Sequence, residues 1–251
     1  MNILILSSMT NKHFLEDFKL GNYFISHGHN VMVADINQVS STMDSVYDVV
    51  LYRNFASNDE KQYDATKKLF KEKIALIPNV RPIYSEYNVG LFIDVSLKTK
   101  VPLCEKANTG IGYGMDFPYR VDSVSDPSKF AIQKKYEKYY HTIVITGSIV
   151  YSYSEYKGLK KLEPSVPDAI NRVIDSLNLD GYDMYEIIYV LDDSGEYRLS
   201  FVDATYVTLD IRLCDENKMF SKLLELIERK KWQVSLPLLF LQLNVSCCYF
   251  S

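Results

Sequence analysis

The alternation of strand-length apolar runs with helical spacing over the first eighty residues most constrains what this chain can fold into. Residues 3–7 (ILILS) are apolar at strand length, and residues 13–26 (HFLEDFKLGNYFIS) place Phe14, Leu15, Phe18 and Phe24 at helical spacing as candidates for one buried face. The helix stops at HGHN, where Gly28 offers a left-handed cap, and VMVADI opens a second strand. His27 and His29 flank that glycine and read as surface positions in preference to a metal pair. A third strand (47–54, YDVVLYRN), a helical pattern (59–73) and a fourth strand (74–79, IALIPN) follow. Strand, helix and strand in repetition imply a parallel sheet with helices on its faces. Nothing in this stretch resembles GxGxxG, so a dinucleotide fold of the dehydrogenase kind is not supported.

Beyond residue 80 the pattern changes. RPIYSEYN (81–88) reads as a crossing between domains, and LCEKA (103–107) as a short strand entering a glycine-rich loop. In that loop, EKANTGIGYGM, Gly110, Gly112 and Gly114 fall within five residues, just after Lys106. KFAIQKKYEKYY (129–140) comes next, then HTIVITGSIVYSYSEY (141–156), which alternates around Gly147 and Ser148 as two antiparallel strands joined by a tight turn. PSVPDAINRVIDSLNL (164–179) is a helix with prolines at its entry and Ala169, Ile170, Val173, Ile174 and Leu177 at helical spacing. A hairpin turning at DDSG (192–195) and an amphipathic helix at 217–232 complete the order.

Charge and composition then narrow the function. Lys+Arg 28 against Asp+Glu 32 leaves a net charge of -4, so no basic field is offered to a nucleic-acid backbone. The 20 tyrosines are scattered, which favours packing over a base-stacking platform. MNILILSS lacks a basic n-region and reads as a buried strand, not a signal sequence. The apolar run LPLLFLQLNV (236–245) is about half of what a bilayer requires, so no membrane contact and a cytoplasmic location are expected. Cys104, Cys214, Cys247 and Cys248 show no CxxC spacing and read as reduced thiols.

This succession resembles the ATP-grasp superfamily, the fold of glutathione synthetases, D-alanine–D-alanine ligases and the RimK-like ligases that add glutamate to protein or peptide tails. The resemblance implies an α/β, Rossmann-like pre-ATP-grasp domain with a parallel sheet (1–83) and a shortened α+β ATP-grasp domain with antiparallel sheets (84–214); the C-terminal helix and apolar tail (215–251) have no counterpart in it. It implies ATP and Mg2+ as cofactors, an acyl phosphate formed on a carboxylate, and attack by an amine. Small-molecule or peptide carboxylates and amines are the implied substrates, while the apolar end LPLLFLQLNVSCCYF, read from its own residues, would suit a second copy or a protein partner.

Residue by residue, the resemblance gives Lys106 to the ATP phosphates and Thr109, Gly110, Gly112 and Gly114 to a mobile lid closing over them. Gln133, Lys135 and Tyr136 would border adenine, and Glu137 the ribose. Glu186 and Asp203 would hold Mg2+. The pattern is departed from at Phe201, where a bridging Glu is expected, and at Thr142, where the family carries arginine in a DxR pattern that begins at Tyr140. Arg53, Arg81 or Arg120 could supply that charge, Lys98 or Lys100 could replace another ATP lysine, and Arg53, Asn54 and Glu86 are acceptor-site candidates by location. An inactive relative kept as a binding or assembly module is the alternative.

Overall fold

A computed structural model of the chain describes residues 1–7, 14–35, 46–53, 75–77, 86–113, 119–121, 131–204 and 213–230, with backbone alone at 75–77, 86–90, 106, 108–113, 119–121 and 131–132. The chain divides into two compact units, residues 1–81 with 220–251, and residues 82–219. The expected helix at 59–73 lies outside the described residues.

In the first unit, β1 (Asn2–Ser7), β2 (Asn30–Asp35), β3 (Val49–Tyr52) and β4 (Ala75–Ile77) form a parallel sheet in the order β2-β1-β3-β4. β1 and β3 are buried along nearly their whole length, which is why both read as unbroken apolar runs. Helix α1 (Phe14–Ser26) ends where expected, with Gly28 at φ +83°.

The face that α1 buries includes Phe24 as expected, but not Leu15 or Phe18. Asp17, Leu20, Gly21 and Phe24 point inward, while Leu15 is 74% and Phe18 44% exposed. Two contacts set this rotation. Arg53 Nε donates to Asp17 Oδ1 at 2.9 Å, and the Ser7 hydroxyl donates to Asp17 Oδ2, so a buried carboxylate faces the sheet. One turn on, a Cβ at Gly21 would stand 3.1 Å from Val33 Cγ2, so the helix lies close against β2 only because that side chain is missing. His27 is exposed and bonded to the Tyr23 carbonyl, whereas His29 sits beside the N-terminal amine and Glu228.

The second unit holds two antiparallel sheets. β8 (Lys138–Ile145), β9 (Ser148–Tyr156), β10 (Leu159–Leu162), β11 (Met184–Leu191) and β12 (Tyr197–Asp203) form one, in the order β10-β9-β8-β11-β12. β5 (Lys106–Tyr113), β6 (Tyr119–Val121) and β7 (Ala131–Gln133) form the other, in the order β6-β5-β7. The β8–β9 turn falls one residue before the expected Gly147–Ser148, at Thr146 and Gly147, both at positive φ (50° and 75°), as a two-residue hairpin turn of the primed kind requires; Ser148 already opens β9.

Helix α3 (Asp168–Leu179) turns Ile170, Val173, Ile174 and Leu177 inward, as its spacing predicts, but starts at Asp168 because Pro167 stands at the N-cap. Helix α2 (Glu86–Thr99) was not expected; Leu91, Phe92 and Val95 place it in the same core as α3, Tyr185 and Leu199. β10 was not expected either; it turns the hairpin into a meander, paired with β9 from Leu159↔Tyr156 to Leu162↔Tyr153. The glycine segment corrects a further expectation. Lys106 to Tyr113 is strand, not loop, with Gly110 and Gly112 opposite Val121 and Tyr119 of β6. Helix α4 spans 216–230.

Candidate nucleotide and metal site

A buried glutamine anchors the glycine strand's neighbour to the large sheet. Gln133, at the end of β7, is 5% exposed and uses both ends of its amide: Nε2 donates to the Ser200 carbonyl at 2.8 Å, and Oε1 accepts from the Ser200 hydroxyl at 2.9 Å. Lys106 is its register partner in β5. The chain on either side is tied down too, with Lys134 N–H donating to Glu105 O at 2.8 Å and Cys104 N–H to Leu199 O at 3.0 Å. Burial pushes the Cys104 thiol up to about 12, so it is a packing group rather than a nucleophile.

Residues 134–137 form a short link between β7 and β8. Lys135 and Glu137 are exposed. Tyr136 N–H donates to the Tyr139 hydroxyl at 3.0 Å, so a purine edge at this link would exchange a bond already made. Lys134 ion-pairs with Glu105 (3.6 Å) and Asp193 (3.5 Å), and their charges hold its ammonium above its ordinary pKa. The side chains of Lys106, Thr109 and Arg120, together with Gly114, Arg81 and Asn54, lie outside the described residues. Arg53 is spoken for by Asp17 in the first unit. Lys98 is held by Asp94 and Asp180, each at 2.9 Å, and Lys100 follows the end of α2 at φ 57°.

The two acids named from the sequence are brought together. Glu186 in β11 and Asp203 in β12 are direct register partners, 6% and 0% exposed. A third residue, missed in the sequence, joins them: His141 Nδ1 lies 2.8 Å from Glu186 Oε1. In register His141 pairs with Ile188 and Ile143 with Glu186, so His141 and Glu186 are diagonal neighbours on one sheet face. Alternation sends Thr142 to the other face, where its hydroxyl meets those of Ser152 (3.1 Å) and Tyr189 (3.5 Å), and Tyr140 stacks on Tyr189 at 5.4 Å. Phe201 is 4% exposed and edge-on to Phe92 at 5.6 Å, a core position.

Among the described residues no group of three or more His, Cys, Asp or Glu side chains could hold a metal ion. Two carboxylates on adjacent strands nonetheless fit Mg2+, which commonly takes one or two protein carboxylates and completes its shell with water and nucleotide phosphates. No described helix is long and apolar enough to cross a membrane.

No family model and no curated protein matches the chain. Solved structures do match over nearly the whole of it. A Chryseobacterium gregarium RiPP-associated ATP-grasp ligase, in complex with ADP and a leader and core peptide, aligns with TM-score 0.62 at 11% identity, covering 92% of this chain and 97% of that one. The D-cycloserine synthetase DcsG aligns with TM-score 0.65 at 12% identity, covering 92% and 100%. The ATP-grasp ligase PsnB, complexed with a minimal precursor, Mg and ADP, aligns with TM-score 0.57 at 9% identity, covering 90% and 98%. At these identities the likeness is one of fold, and the fold is that of the ATP-grasp ligases.

Proposed function

We propose that this chain, built on the ATP-grasp ligase fold, joins a carboxylate to an amine at the expense of ATP. The observation that carries the reading is the Glu186–Asp203 register pair, with His141 on Glu186, on one face of the five-stranded antiparallel sheet. In this reading residues 1–83 are a Rossmann-like pre-ATP-grasp domain that presents the acceptor, 84–214 bind nucleotide, and 215–251 supply a helix and a tail for association. A substrate carboxylate oxygen attacks the γ-phosphorus of ATP, and ADP leaves. The amine then attacks the carbonyl carbon of the acyl phosphate, inorganic phosphate leaves, and the nitrogen loses its proton to give the amide.

The chain's own residues bind and orient. Lys106 meets the phosphates, the segment that carries Thr109, Gly110, Gly112 and Gly114 closes over them, and the link Lys135–Tyr136–Glu137 borders the nucleoside beside Gln133. Glu186 and Asp203 would hold Mg2+, which when bound offsets the negative charge that develops on the transferred phosphoryl group. The leader and core peptide in complex with the similar Chryseobacterium gregarium ligase makes a peptide the first acceptor class to test.

One observation favours a second reading, that of an inactive relative. Phe201 fills a core position against Phe92 at the place where the resemblance puts a bridging Glu. The two readings part on a single measurement. Mg·ATP at about 100 times its Kd should stabilise a binding-competent chain by about 2.7 kcal/mol, read as a higher melting temperature that Lys106→Ala abolishes. ADP release dependent on added peptide or amino acid then establishes a ligase. A flat melting response overturns the ligase reading.

A further inference from the structure

The environment of His141 is more constrained than a surface strand residue needs. Its ring stacks flat on Tyr153, its direct register partner, with centroids 4.5 Å apart and planes 3° apart. The ammonium of Lys160 lies 4.9 Å from that Tyr153 ring. The side chain of His141 is 14% exposed and that of Glu186 8%. An ionised carboxylate only accepts, so at 2.8 Å Nδ1 is the donor and its hydrogen bond occupies Oε1 of Glu186. Directly across from Glu186 stands Asp203, so the two carboxyl groups share one end of the sheet face.

We propose that His141 is the positioning residue of the Glu186 carboxylate: it fixes one oxygen and leaves the other for a divalent cation carried in on a nucleotide. This rests on the ligase reading above. The backbone pairing, the tyrosine stack and the hydrogen bond together leave the imidazole one orientation. Glu186 thereby enters the site already aimed, and its charge is drawn towards the histidine rather than towards Asp203. An outer residue that orients a ligating carboxylate in this way contributes to affinity without touching the ion.

The test compares His141→Phe, which keeps a ring to stack on Tyr153 but removes the donor, with His141→Asn, which keeps an N–H donor and loses the ring. Binding of the Mg2+ complex of a non-hydrolysable ATP analogue is measured by calorimetry, and Mn2+ in place of Mg2+ by paramagnetic resonance. The Phe variant is expected to bind about 10–100-fold more weakly with a ligand-free melting temperature close to wild type, and the Asn variant to recover most of that loss. Should the Phe variant not fold, His141→Leu takes its place in the same comparison. Wild-type affinity in the donor-free variant, or equal losses in the donor-free and Asn variants, overturns the positioning role alone. Absence of binding by the wild-type chain overturns the ligase reading on which it stands.

Discussion

Single residues decide more here than their burial suggests. Asp17 is the clearest case: it is 1% exposed, in a helix whose phenylalanines look like the natural buried stripe, and it faces inward because Arg53 and Ser7 receive it. Removing one member of a buried ion pair leaves the other charged and desolvated. Asp17→Leu should therefore cost roughly 3–5 kcal/mol, read as a lower urea midpoint, while the double change Asp17→Leu with Arg53→Met recovers much of it. Polar residues of this kind are also where the sequence misleads. Apolar spacing alone put Leu15 and Phe18 on the inner face, because nothing in a linear pattern shows that an aspartate has a buried arginine to meet. His141 escaped for a related reason: its role depends on which residues of β8 and β11 lie diagonal to each other, and register is not written in either strand by itself.

At the scale of elements, those with strong local signals were legible. The β8–β9 hairpin follows from a glycine at positive φ between alternating strands, and α3 from a clean apolar stripe after Pro167. Helix α2 was not, since its segment EYNVGLFIDVSLKT mixes β-branched residues and a glycine among its helix formers and follows a proline-bearing crossing. The β11–β12 turn carries a pH dependence of its own. The Asp192 carboxylate accepts from Ser194 and from Arg198, which hold it well below the usual carboxylate range. Its native pKa is depressed, so the turn's contribution is complete above the unfolded value of about 3.9 and is lost as pH falls from there towards the native value. Protection factors of the amides in β11 and β12, taken against the intrinsic exchange rate at each pH, should fall below about pH 4 in the wild type. In Asp192→Asn the same amides should be faster near neutral pH and lack that acid step.

For the molecule as a whole, the alternation of the first eighty residues and the later hairpins were enough to expect an α/β unit followed by antiparallel sheets. What the order of motifs could not supply is which strands become neighbours. The central pairing of the larger sheet runs from Ile145 opposite Met184 to Tyr140 opposite Tyr189, bridging chain segments with α3 between them. The outer pairings, β8 with β9 and β11 with β12, join consecutive strands. Hairpins of that kind close in about 1–10 μs, whereas bringing the two together must overcome a longer loop entropy before any contact rewards it. Refolding of this sheet should consequently be limited by one docking event along the β8–β11 seam, so that Ile143→Val slows refolding while Val202→Ala, in the edge strand β12, chiefly hastens unfolding in stopped-flow traces. The strand that carries the histidine and the strand that carries the glutamate would then meet only at the transition state, and the carboxylate cluster would come into being at the moment the sheet commits to its native form.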